Sequence, residues 1–311
     1  MKLRAIVAAA AMVMGMAMAA APAQGQGDGM ADVEIGVRDL GNGLYMLTGR
    51  GGNMGLSVGE DSVFLIDDQF APLTPKIRAA IAKLTDQPVE FVFNTHWHFD
   101  HVGGNENFGE TGSVIVAHDN VRERMSEDQF LEAFNREVPA SPPEALPVVT
   151  FNDRVTFHLN GETIRAFHTP HAHTDGDSVI HFEGANVFHM GDTFFHKMYP
   201  FIDGSSGGSV DGVIEAVNSV LAMTDDDSVI IPGHGPIATR DDLRAYRDML
   251  ATVRDSINAM IADGMSLEQV QAANPTADFD AVHNEMGMFE PAQWVGLVYG
   301  LLAPAEAASE E

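Results

Sequence analysis

Six residues, His96-Trp97-His98-Phe99-Asp100-His101, bring three imidazoles and a carboxylate together directly after the apolar run Val89-Glu90-Phe91-Val92-Phe93-Asn94. Neutral imidazole nitrogens and carboxylate oxygens are ligands for a borderline-soft divalent ion, zinc first among them. In extended backbone His96 and His98 point the same way, ~6.6 Å apart along the chain, so both reach one ion. Asp100 and His101 lie just beyond, where the chain turns. One tetrahedral ion does not readily take all four groups from so short a peptide, and a second ion nearby would use them. The competing reading of the string is a His-rich surface loop.

A dinuclear centre needs more donors, and three further motifs follow strand-like runs. His168-Thr169-Pro170-His171-Ala172-His173-Thr174-Asp175-Gly176-Asp177 offers imidazoles and carboxylates. In Gly191-Asp192-Thr193 an Asp ends the run beginning at Val187 and has two oxygens with which to bridge two ions. In Pro232-Gly233-His234-Gly235 the flanking glycines let the backbone turn tightly and present one imidazole. Loops at one end of a sheet converge in space, which lets residues so far apart in sequence build one pocket.

The elements that must hold these motifs are legible as hydrophobic patterns. Residues 33 to 70 alternate short apolar runs with turn residues, which predicts a β-meander. Leu73-Thr74-Pro75, with Thr74 as N-cap and Pro75 at the first helical position, precedes Ile77, Ala80, Ile81 and Leu84 at helical spacing. Val114 to Ala117 reads as another buried strand. Residues 119 to 147 are polar and Pro-punctuated, a helix and then a loop of the kind that often covers a site. A second run of strands follows over 148 to 195, then a helix near 210 to 222 and the apolar Val229-Ile230-Ile231. The last third is helical: Thr239 to Asp242 resembles a capping box, and Leu243, Tyr246, Leu250, Val253, Ile257 and Ile261 recur with helical period. Pro291, Trp294, Val295, Val298 and Leu301 predict a terminal helix docked by its apolar face. One faint echo links Val63 to Asp67 and Val187 to Asp192, both apolar strands ending in Asp, although recurrent strand composition explains it as well.

The N-terminus reads as an export signal over 1–23: Lys2 and Arg4, an apolar Ala- and Met-rich stretch, then Ala21-Pro22-Ala23 before Gln24. A membrane anchor is the competing reading, but the stretch is Ala-dominated and ends in a small-residue cleavage pattern. A soluble periplasmic protein is expected, with residues 24–311 as one domain and no stable membrane insertion after cleavage. There is no Cys, so stability outside the cytoplasm must come from an apolar core, for which a hydrophobic content of 45% suffices. A formal charge of −28 argues against nucleic acid or anionic membrane as partner. The 17 Met residues read as core filling and signal segment, not copper handling.

Over about residues 33 to 260 the chain resembles the metallo-β-lactamase superfamily, whose HxHxDH string, later His, Asp and His stand here in the same order. The resemblance implies an α/β fold, an αββα sandwich with the metals at one edge. It also implies two zinc ions per chain, His96, His98 and His173 on one, Asp100, His101 and His234 on the other, with Asp192 bridging. His173 is preferred over His168 and His171 because the superfamily's third His is commonly followed by Thr and a small turn, as His173-Thr174-Asp175-Gly176 is here. Asp67 resembles an Asp that supports the ligand loop without binding metal.

The expected chemistry is hydrolysis of a carbonyl bond in a small molecule. Two zinc ions ~3.5 to 4 Å apart would share a water, lower its pKa towards ~7 and yield hydroxide near neutral pH, and Asp100 would orient it and accept a proton. The exported location, and the stretch Tyr199-Pro200-Phe201-Ile202-Asp203, favour a β-lactamase-like activity. Asp192 instead looks like the thioesterase and lactonase branches, although Phe195 stands where an assisting lactonase Tyr is expected. A lactone, ester or thioester hydrolase is therefore the alternative. A non-hydrolytic iron oxidoreductase, such as a sulfur dioxygenase, is the alternative of another class. Phe99, Trp97, Phe194, Phe195 and Phe201 are candidates for an apolar pocket over the metals, and Lys197 for a contact to a substrate carboxylate.

Overall fold

A computed structural model describes residues 29–303; the expected signal segment at 1–23 lies outside the described residues. The predicted meander folds as antiparallel strands β1 (Gly36–Gly41), β2 (Leu44–Thr48), β3 (Met54–Val58) and β4 (Val63–Ile66). From β4 onward the pairing is parallel, first to β5 (Phe91–Phe93) and then to β6 (Val114–His118). After a separate hairpin of β7 (Gln129–Leu131) and β8 (Arg136–Val138), β9 (Val149–Phe151) adds a seventh strand beside β6. The second sheet runs in sequence order: β10 (Arg154–Leu159), β11 (Glu162–His168), β12 (Ser178–Phe182), β13 (Val187–His189) and β14 (Val229–Ile231). Its first four strands are antiparallel and β14 is parallel to β13.

Strands β4 and β13 thus hold corresponding places, each the point at which its sheet changes from antiparallel to parallel pairing. Those are the two strands that share the apolar-run-then-Asp pattern, so the faint echo in the sequence has a topological counterpart.

The period-2 alternation of side chains explains the layering. Phe64 and Ile66 of β4 face the second sheet, packing with Phe93, Ile164, Ile180 and Phe182, while Val63 and Leu65 face outward. Helix α1 (Thr74–Ile81) covers that outer face through Ile77 and Ile81. Short helices α2 (Phe99–Val102), α3 (Asn105–Gly109) and α4 (Asp119–Met125) follow the strands of the first sheet. On the far side α5 (Val210–Leu221) and the long α6 (Arg240–Ala262) cover the second sheet with Val213, Val217, Leu243, Tyr246, Leu250, Val253 and Ile257. Helices α7 (Leu267–Ala273), α8 (Asp280–His283) and α9 (Pro291–Leu302) close that end. The result is the expected α-β-β-α order of layers. Each fully buried aliphatic or aromatic side chain contributes about 1.5–3 kcal/mol, and the cores together supply what disulfides cannot. Among the described residues no helix is long and apolar enough to cross a membrane.

Two local expectations change. Thr74 does not cap α1: a 3-10 turn over Ala71–Leu73 with its own Pro already starts the helical course, Leu73 is the N-cap, and the Thr74 hydroxyl accepts from Asn107 instead. Residues 119 to 147 hold more than a helix and a loop, because the β7–β8 hairpin lies within them. By contrast, Thr239 and Asp242 form the predicted capping box at the start of α6.

Candidate metal centre

All four donor-bearing motifs leave the ends of strands and meet. The loop after β5 and helix α2 supply His96, His98, Asp100 and His101; the loop after β11 supplies His173; a 3-10 turn after β13 supplies Asp192; the turn after β14 supplies His234. Their donor atoms fall into two groups, His96, His98, His173 and Asp192 in one, Asp100, His101 and His234 in the other, each within 4.8 Å. In the first group His98 Nδ1 lies 3.2 Å from His96 Nε2 and 2.8 Å from His173 Nε2. In the second, His101 Nε2 lies 3.4 Å from His234 Nε2, and Asp100 Oδ2 lies 3.4 Å from the same nitrogen of His234.

Asp192 touches both groups. Its Oδ1 is 3.1 Å from His101 Nε2, and its Oδ2 is 3.4 Å from His234 Nε2, 3.6 Å from His173 Nε2 and 3.8 Å from His96 Nε2. Oδ1 is buried without a hydrogen bond of good geometry. A buried carboxylate oxygen in that state is costly unless a cation satisfies it. Five imidazoles and two carboxylates aimed at each other across 3–4 Å, with so few protons to share, therefore fit a pair of divalent ions.

The electrostatics agree. Burial, reinforced by the neighbouring imidazoles, pushes His96 well below the ordinary imidazole range, and burial takes His173 down to about 4, so both stay neutral and able to donate lone pairs. Burial likewise opposes charge on His234 and His101, but the carboxylates of Asp192 and Asp100 prevail, raising His234 to about 9 and His101 well above its usual value. Burial would raise Asp192 and Asp100, yet His101 and His234 hold both ionised, Asp100 at about 2. Positive charge at this position is what the carboxylates demand.

Four of the five imidazoles are fixed by their other nitrogen, His96 through its Nδ1 contact to Thr95 Oγ1 at 3.0 Å. Asp67, at the end of β4 with φ +58°, accepts from Thr95 N and Thr95 Oγ1 at 2.8 Å each and from His101 Nδ1 at 2.7 Å. It supports the ligand loop, as the resemblance implies. His173 Nδ1 donates to the Phe201 carbonyl at 2.8 Å, and His98 Nε2 lies 3.0 Å from Asp203 Oδ2. The segment carrying Phe201 and Asp203 is held by Trp294, which donates to the Pro200 carbonyl at 2.8 Å and stacks on Tyr199 at 4.4 Å. His168 and His171 stay out of the cluster: His168 stacks on His118 with centroids 3.8 Å apart, and His171 bonds to the Gly207 carbonyl.

Four residues, Asn53, Gly52, Gly233 and Asp203, position the donors through contacts that the sequence does not show. Asn53 lies within the predicted meander, and its Nδ2 donates to the carbonyls of Pro232 and Gly235 at 2.8 and 2.9 Å and its backbone N to Gly233 O at 2.7 Å, clamping the turn that presents His234. Gly52 passes so close to His101 that a Cβ would collide with the imidazole, and Gly233 lies equally close to Asp192 Oδ1. Asp203 was visible within the Tyr199–Asp203 stretch, but nothing local marked its contact to His98.

A sequence model of the metallo-beta-lactamase superfamily matches residues 47–234, the span from β2 to the last donor. The chain belongs to the metallo-beta-lactamase superfamily. Among its relatives, a probable hydroxyacylglutathione hydrolase of Schizosaccharomyces pombe is 26% identical over 199 residues, covering 61% of this chain and 67% of that protein. A metallo-beta-lactamase from Pontibacter korlensis superposes with a TM-score of 0.57 at 19% identity, covering 70% of this chain and 99% of that one. A sec-alkylsulfatase from Pseudomonas sp. superposes with a TM-score of 0.65 at 15% identity over 89% of this chain, which spans about half (52%) of the sulfatase. At such identities the structural likeness establishes the superfamily fold, and the superfamily is one of mostly metal-dependent hydrolases.

Proposed function

We propose that this superfamily member is a zinc hydrolase with two ions per chain that cleaves a carbonyl bond of a small molecule. The observation that carries the reading is the position of Asp192, whose two oxygens face the two donor groups at once. Two divalent ions held there would supply Lewis acidity and an acidified water. The chain's own part is to orient and to exclude. Asp100 and His234 have the most exposed side chains of the donor set, at 19% and 13%, so substrate approaches from their side. Asp100, ionised and on that open side, is placed to accept a proton and orient the attacking group. Phe195, stacked on His234 with centroids 5.1 Å apart, and Phe201, stacked on His98 at 5.7 Å, keep the remaining faces dry.

Thioesters and other esters stand ahead of β-lactams in this proposal, because two relatives are hydroxyacylglutathione hydrolases by name, while the likeness to β-lactamases concerns the fold. A panel of thioester, acyl-lactone and nitrocefin substrates tests the order. The metal assignment is tested by Asp192→Ala and His234→Ala, each expected to lose bound zinc and turnover together; full metal content with full turnover in either variant sinks it. Iron in protein from its native compartment, with oxygen-dependent thiol oxidation, would replace the hydrolase reading by an iron oxidoreductase. Export to the periplasm belongs to the same proposal, and a protein recovered there with Gln24 as first residue is its expected sign.

A further inference from the structure

The donor group that opens to solvent gives onto a cleft of about 980 Å³ whose lining brings His234 together with Arg38 and Arg50. Arg38 projects from β1 and Arg50 from the loop between β2 and β3, both exposed and both lining it. In a chain with 17 Lys and Arg against 45 Asp and Glu, carboxylates are in excess, and Arg124, Arg165, Arg240, Arg244, Arg247 and Arg254 each pair with one. Arg78 and Arg122 bond to carbonyl oxygens instead, and Arg136 lies over the Phe99 ring. Among the described residues Arg38 and Arg50 have no carboxylate at ion-pair distance, and their guanidinium groups make no hydrogen bond. Lys197, the sequence's candidate for a contact to a substrate carboxylate, lines the same cleft and is paired with Glu285 at 3.0 Å.

The two free guanidiniums are held by rigid backbone. Arg38 lies in the register-fixed pair Arg38↔Met46 of β1 and β2. The loop bearing Arg50 is pinned by the fully buried Gln69, whose Oε1 accepts from Arg50 N and Gly51 N at 3.1 and 3.2 Å and whose Nε2 donates to Gly52 O at 2.6 Å. The same lining has an apolar and partly bare portion: Val37, Met286 and Met288 are 43%, 52% and 41% exposed, and Ile237 and Met198 also line the cleft. Flexible thioether chains adapt to an unbranched apolar ligand.

We propose that this cleft selects an amphiphilic monoanion. Its scissile carbonyl sits by His234 and Asp100, an apolar chain lies along Val37, Met286 and Met288, and a carboxylate meets Arg38 and Arg50, whose planar forks suit it. The proposal rests on the hydrolase reading for the reaction and on the cleft alone for the selectivity. Against a net charge of −28, two unpaired arginines are the local exception that lets an anion approach.

The test uses the zinc-loaded full chain and two 4-nitrobenzenethiol esters of adipic acid, one with a free ω-carboxylate and one with a neutral carboxamide. The wild type is expected to favour the carboxylate in kcat/KM, and Arg38→Gln/Arg50→Gln to cut that preference about tenfold, the scale of two partly exposed charge contacts. Met286→Ser/Met288→Ser is expected to flatten the gain in kcat/KM with acyl chain length. Binding is read separately by calorimetry with adipic acid monoanilide, which should weaken about as much in the arginine variant. Equal kcat/KM for the two esters, or a preference untouched in the arginine variant, overturns the subsite and leaves hydrolysis standing. Arginine-dependent binding of the monoanilide without turnover of either ester overturns hydrolysis and leaves the subsite standing.

Discussion

His98 Nε2 lies 3.0 Å from Asp203 Oδ2, which leaves Nδ1 as the nitrogen this imidazole turns towards the donor cluster. His96 and His173 are held the other way, through Nδ1, and present Nε2. The mixed orientation follows from which neighbour reaches which nitrogen. Asp203 is itself held: Ser205 and Ser206 donate to it at 2.5 Å, and the Trp97 indole donates to Ser206 Oγ at 3.2 Å. Asp203→Ala should weaken zinc at the His96, His98 and His173 group by about 10- to 100-fold while the fold persists. Zinc titration against a chromogenic chelator, with circular dichroism as the fold control, reads this directly; unchanged affinity would mean the carboxylate only fills space.

Asn53 does for the last donor what Asp203 does for the second. Its amide ties together the two carbonyls that flank His234 in the β14 turn, and its own carbonyl accepts from His189 Nε2 at 3.1 Å. Asn53→Ala removes two hydrogen bonds from a buried clamp, at a cost of about 1–3 kcal/mol. Urea unfolding should show that loss. The ion bound by Asp100, His101 and His234 should weaken more than the other, because His173 and His98 keep their supports. Equal weakening of both ions would place the clamp's effect on the whole fold.

The donors were legible because chemistry-bearing side chains occur in short strings with few other uses, and because each string follows an apolar run long enough to be seen. The meander and α6 were legible for a related reason: short apolar runs such as Val63–Ile66 bounded by turn residues, and a 3.6 period from Leu243 to Ile257. The β7–β8 hairpin was not, since three-residue strands show no period. Its placement rests on tertiary contacts, Arg136 over the Phe99 ring at 3.8 Å and Phe134 against Phe201 at 4.8 Å. Asn53 was invisible for a similar reason. Its partners stand 179 and 182 positions away, and an Asn after two glycines reads as a turn whatever its amide reaches.

Removing the ions should cost stability as well as turnover. Without a cation the buried carboxylate of Asp192 relies on the imidazoles of His101, near Oδ1, and His234, near Oδ2, and those must carry protons to offset it. Dialysis against a strong chelator is expected to abolish hydrolysis and lower Tm by several degrees, with both restored by zinc. Each site saturated at 100 times its Kd adds about 2.7 kcal/mol to the folded state. A Tm indifferent to zinc would argue that the cluster is held by protons alone.

His283 gives a pH-dependent prediction away from the donors. It lies 6% exposed in α8 among Tyr199, Tyr246 and Phe279, with no partner for Nδ1 among the described residues. Burial, helped by the nearby His196, lowers its pKa to about 4. A histidine depressed on folding is neutral in the native protein and takes up its proton more readily once unfolded. Its burial is therefore free of charge penalty above the ordinary value near 6.5, and the penalty grows as pH falls from there to about 4, reaching about 3 kcal/mol. His283→Phe should remove that slope: the difference in unfolding free energy between variant and wild type, flat above pH 7, should widen in the variant's favour between pH 6.5 and 4. The consequence reaches the cleft, because Glu285 and Met286 follow directly, the first pairing with Lys197 and the second donating its backbone N to the Lys197 carbonyl at 3.2 Å. Because the folded protein keeps His283 neutral down to about pH 4, selectivity for an apolar acyl chain is expected to hold across that window and to fade only below it, and to persist there in His283→Phe. A difference curve flat throughout pH 4–7 would show that His283 titrates alike in the folded and the unfolded chain.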